Sequence, residues 1–78
     1  MSHTTRPAQP VPSHGWTVAV VDRKAVTHHY LVAMDDEDAA RAAVREIIAD
    51  TDVIAWSRLL EARHLAARAM APNDIFEL

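Results

Sequence analysis

The chain has 78 residues, with 8 basic and 11 acidic side chains, five histidines and no cysteine. At 50% hydrophobic and 24% charged it has the composition of one small globular domain, and a second core does not fit. The net charge of −3 argues against general nucleic-acid binding, which rests on neutralised phosphates, and the missing thiols remove disulfides, cysteine catalysis and thiolate metal sites.

Residues 1–14, MSHTTRPAQPVPSH, hold three of the four prolines and little apolar surface besides Val11. Burial there is too small to offset the entropy of ordering, so the segment reads as a disordered tail. Pro7 to Pro10 have the spacing of a polyproline recognition segment, but Arg6 is not placed as such ligands require, and a plain tail is the expectation. The segment lacks the basic start and apolar run of a signal peptide, and no stretch approaches the roughly 18 apolar residues of a membrane span. With the absence of cysteine, this points to a cytoplasmic protein. Seven of the eight cations are Arg and Ala is abundant, a composition associated with high-GC bacterial genomes.

Order is expected to begin at Gly15. WTVAVVDRKAVTHHYLVAM alternates and is rich in β-branched and aromatic residues on both sides of DRKA, which predicts antiparallel strands over 16–21 and 26–34. No glycine serves the turn, and Asp22 suits the first position of a type I turn, accepting hydrogen bonds from the backbone that follows. In DDEDAARAAVREIIAD the apolar period changes from 2 to 3.6, and Ala40, Ala43, Val44, Ile47 and Ile48 form one stripe of a helix. Asp35 or Asp36 is placed to cap it, Asp36, Glu37 and Asp38 complement its dipole, and Glu37 precedes Arg41 by four residues. These roles account for the acidic run, which lacks the ligand spacing and glycine of a calcium loop.

TDVIAWSRLL predicts a third strand near 53–58, parallel to the second strand because a helix joins them. Leu59, Ala62, Leu65, Ala66, Ala69 and Met70 recur at helical spacing before Pro72 ends the pattern, and Ile75, Phe76 and Leu78 fold back as an edge strand or a plug. The order β-β-α-β-α, with that C-terminal addition, predicts an α+β domain of two layers. Its helices lie mainly on one face of a three- to four-stranded mixed sheet.

Adjacent strand residues point to opposite faces, so His28 and His29 cannot chelate one ion together. His28 shares a face with Val26, Tyr30, Val32 and Met34, and if that face is the core, burial holds His28 neutral and lowers its pKa. His29 lies with Thr27, Leu31 and Ala33. A small metal- or His-dependent enzyme would need His28 or His29 together with His64, yet no metal-ligand spacing, nucleophile elbow or glycine-rich loop supports one, and no cofactor is implied. Trp56 shares its strand with Ile54 and is expected in the core.

Both faces of the sheet look apolar, whereas the predicted helices suffice to cover one well, so the second is either open to a partner or covered by the last helix and the C-terminal tail. Folding of so small a chain buries only about 60% of the surface that the unfolded chain exposes, so association adds stability it needs. The leading expectation is therefore a non-enzymatic interaction module that binds itself, as a homodimer, or another protein. Its contact surface would be the face bearing Thr27, His29, Leu31 and Ala33. The alternative is a nucleic-acid-binding or transcription-associated accessory domain that uses Arg58, Arg63, His64 and Arg68 around the last helix.

Overall fold

The computed structural model describes residues 13–78. The tail predicted over 1–14, with its PAQP segment, lies outside the described residues up to position 12. Ser13 and His14 already belong to the fold: the Ser13 N–H donates to Asp35 Oδ1 at 2.9 Å, and a His14 ring nitrogen bonds the Asp35 carbonyl at 2.8 Å.

Strands β1 (His14–Val21) and β2 (Thr27–Val32) form the expected antiparallel hairpin, with Trp16 opposite Val32 and Val21 opposite Thr27. Asp22 organises the loop. Its Oδ1 accepts the N–H groups of Lys24 and Val26 at 2.8 and 3.0 Å, and its carbonyl accepts the Ala25 N–H at 2.9 Å. Ala25 completes the connection at φ 65°, a left-handed position that usually falls to glycine.

Helix α1 (Glu37–Ile47) starts at the Asp36 cap, whose side chain accepts the Ala39 N–H at 2.8 Å. It buries Ala40 and Val44, while Ile47 remains exposed at its end. Glu37, Arg41 and Ser57 tie this helix to the third strand: Arg41 Nε donates to Ser57 Oγ at 3.0 Å, and Ser57 in turn donates to the Glu37 carboxylate.

Strand β3 (Val53–Glu61) runs parallel to β2 in direction, as the helical crossover requires, but it pairs with the far edge of β1. With β4 (Ile75–Glu77) on the other side of β2, the sheet order is β3-β1-β2-β4 and every ladder is antiparallel. The expected mixed sheet does not form because β1 lies between the two parallel strands. β3 is also longer than predicted. His14, Gly15 and Trp16 give Glu61, Leu60 and Leu59 ladder partners, so residues with helical spacing are drawn into the strand. Helix α2 is left with Ala62–Ala67. It ends in a Schellman turn, in which the Met70 N–H reaches the Leu65 carbonyl at 3.0 Å and Ala69 sits at φ 52°.

The two helices lie on opposite faces, which corrects the expectation of one helical layer. On the first face, Val18, Val20 and Val32 pack with Ala40 and Val44 of α1, with Trp16, Tyr30 and Ile54 around them. On the second, Leu31 and Ala33 pack with Leu65 and Met70, with Leu60 beside them. Gly15 allows α2 to come close: a Cβ there would stand 2.4 Å from the Val32 carbonyl oxygen and 3.0 Å from Leu65 Cδ2. No helix among the described residues is long and apolar enough to cross a membrane.

Candidate functional site

A helix of six residues covers only one end of its sheet face. Leu31 and Ala33 lie beneath it, 4% and 0% exposed, so half of the predicted surface Thr27, His29, Leu31 and Ala33 is core. Thr27 and His29 remain on the open half, joined there by Ala19 and Val21 of β1, Val53, Trp56 and Arg58 of β3, and Phe76 of β4.

Trp56 reaches this face through a β-bulge. Val20 pairs with Ile54 and Ala19 with Trp56, so Ala55 is an extra residue that shifts the alternation by one. Ile54 therefore enters the core beneath α1, and Trp56 is 37% exposed on the opposite face, contrary to the core position expected for it. Ala19, between His29 and Trp56 in register, is small enough for the two rings to close over it, with centroids 5.6 Å apart, and it is itself fully buried. Arg58 lies over the Trp56 ring and Arg68 over the Phe76 ring, each guanidinium 5.0 Å from its centroid. Val53, Phe76 and Leu78 stay 62%, 45% and 61% exposed.

The predicted basic surface divides. Arg58 and Arg68 serve the open face, whereas Arg63 pairs with Glu61 at 2.9 Å and His64 stands 3.9 Å from the same carboxylate. Charge is segregated across the molecule: none of the strand positions on the open face carries a carboxylate, and the eleven acids lie on the α1 side, in turns or at strand ends.

On the other face an open cleft of about 570 Å³ lies between the hairpin loop, the segment after α1, and β4, with His28, Tyr30, Ile48 and Asp52 among its lining residues. His28 is clamped there by two carboxylates, with Nε2 2.9 Å from Asp22 Oδ2 and Nδ1 3.4 Å from Glu77 Oε2. The Asp22 hydrogen bond, opposed in part by desolvation, raises the His28 pKa, and the same bond with the Val26 N–H holds Asp22 down at about 2. The expected neutral His28 with a lowered pKa is thus reversed, because a partner faces each ring nitrogen. Burial, with the charges of Glu77 and Asp52, raises the Tyr30 pKa. The cleft thus holds a carboxylate-paired imidazole with the Tyr30 phenol among its lining groups.

His28, His29 and His64 are not brought together. His28 lies in the cleft, His29 on the opposite face, and His64 on α2 beside Glu61. Among the described residues no cluster of three or more histidines and carboxylates could hold a metal ion. No protein-family model, curated protein or solved structure matches the chain.

Trp56 and Phe76 are the site residues that sequence reasoning missed. Arg58 follows Trp56 by two residues, and in a strand that spacing puts both on one face, a signal legible in the sequence. Phe76 gave no such signal, since its position depends on the register of β4 against Leu31.

Proposed function

We propose that this is a non-enzymatic binding module of the cytoplasm that contacts another protein, or a second copy of itself, through the open half of the α2-side sheet face. The observation that carries the reading is the exposure of Val53, Trp56, Phe76 and Leu78 on one face, where Arg58 lies over Trp56 and Arg68 over Phe76 and no described strand position carries a carboxylate. Protein interface cores are enriched in Trp, Phe and Arg and depleted in Lys, Asp and Glu, and this surface has that composition.

The test is site-specific photocrosslinking in cells of the native host, with a benzophenone side chain at Phe76 or Val53 on the open face, or at Ala42 or Arg45 on the exposed side of α1. Discrete protein adducts are expected from the first pair and none from the second. Equal crosslinking from both surfaces, or none from either, would overturn the reading.

A nucleic-acid reading draws on the same arginines, since Arg58 on Trp56 and Arg68 on Phe76 resemble a stacking platform for single strands. A chain of net charge −3 gives it little phosphate neutralisation. Salt-dependent retention on single-stranded DNA, lost in Arg58→Ala, would establish it in place of the protein reading.

A further inference from the structure

Resting on the reading of the open face as a protein contact, we infer that its occupant is an acidic amphipathic helix of another protein, seated beside α2, and not a second copy of this chain. Charge points to the partner first. Arg58 and Arg68 stand over Trp56 on β3 and Phe76 on β4, the two outer strands of the sheet, with no carboxylate at any strand position between them. Three strand spacings separate those margins, roughly 14 Å, and a helix with its side chains is about 10–12 Å across. A helix laid along the open half therefore places an apolar stripe on Trp56 and Phe76 and its flanking residues against the arginines. Carboxylates at the flanks complete that fit. α2 already shows the packing on the neighbouring half, where Leu65 is the residue that seats it on the sheet.

A second copy does not supply this ligand. Two open faces brought together would oppose arginine to arginine with no acid between them. The outward side of α1 does carry acids, Asp38 and Glu46, but the exposed positions between them are Ala39, Ala42 and Arg45, and the one large apolar residue exposed on the helix, Ile47, lies at its end beyond Glu46 and forms no stripe.

The test uses the full chain with Trp16→Phe, so that Trp56 is the only tryptophan, and two synthetic helical peptides of equal length. Each has a leucine stripe, flanked in one by Glu and in the other by Lys; an oligo-dT strand serves as a third ligand. Trp56 fluorescence and its indole N–H signal report occupancy, and sedimentation reports self-association. The Glu peptide is expected to bind about tenfold more tightly than the Lys peptide, with the preference reversed in Arg58→Glu, Arg68→Glu. Equal or reversed preference in the parent, binding of neither peptide, tighter binding of oligo-dT, or a stable dimer that buries Trp56 would each overturn the inference. Crosslinks from Phe76 in the host would in those cases leave the protein contact standing, whereas their absence as well would remove both.

Discussion

Leu65→Ala perturbs the contact that divides the sheet face into a covered and an open half. Leu65 is 1% exposed, is the buried residue of α2, and packs with Leu31, Ala33 and Met70. Truncating a buried leucine costs about 2–5 kcal/mol. A chain of this length has a total stability of about 4–12 kcal/mol, at roughly 0.05–0.15 kcal/mol per residue. Six helical residues do not hold a helix by themselves, so α2 leaves the sheet when its anchor is lost, and the domain keeps at most a fraction of its stability. Urea unfolding followed by circular dichroism reads the effect directly. With a slope near 1 kcal/mol per molar, about the value for small proteins, the midpoint falls by roughly 2 M or more. Leu31→Lys and His29→Lys extend the test along one face of one strand. The first places a charge beneath α2 and unfolds the domain, while the second lies on the open half and stays within about 1 kcal/mol of the parent. A Leu65→Ala variant within about 0.5 kcal/mol of the parent, or a Leu31→Lys variant as stable as His29→Lys, would refute the division of the face.

Gly15→Ala should cost about 1–3 kcal/mol in urea unfolding, because its closest clash is with a backbone carbonyl; full rescue by Leu65→Ala would contradict this. Ala25→Gly and Ala69→Gly should each raise stability by about 0.5–1 kcal/mol by relieving left-handed alanine, and a loss at both positions would show the turns to be different from those described. The His28–Asp22 pair sets a pH dependence. His28, with its raised pKa, contributes stability that is complete below its ordinary 6.5 and fades as pH rises through the folded value. Asp22 contributes above its ordinary 3.8 and loses its share as pH falls toward about 2. The pair therefore supports the fold most between about pH 4 and 6.5, and the stability gap between parent and His28→Gln should narrow from pH 6 to pH 8.5. A gap that widens over that range would contradict the clamp.

The hairpin and α1 were legible because their signals are local. Alternation in TVAVV and THHYLV, the side chain of Asp22 and the stripe through Ala40 and Val44 each act within a few residues of where they are written. The second half of the chain was less legible because tertiary pairing overrode local spacing. Leu59 and Leu60 fit a helix by period, yet β1 offered them Trp16 and Gly15 as ladder partners. The bulge at Ala55 has no residue signature, and one inserted residue moved Trp56 from the predicted core to the open face. The error over His28 had a different source: its face was read correctly, but Asp22 of the hairpin loop bonds its Nε2 and is the leading cause of the raised pKa, with Glu77 reaching its Nδ1 from the last strand. For the candidate surface, Thr27 and His29 were placed with Leu31 and Ala33 on one face, as strand geometry requires. Where the cover ends could not be read, because that depends on the length of α2.

Hydroxyl-radical footprinting of the chain alone and in an extract of its native host decides whether the open half of the α2-side face is a protein contact. Oxidation of Trp56 and Phe76 should slow severalfold in the extract, while Ile47 and Leu59, exposed on the opposite face, react as before. Unchanged rates at Trp56 and Phe76, or equal protection of all four side chains, would contradict that contact.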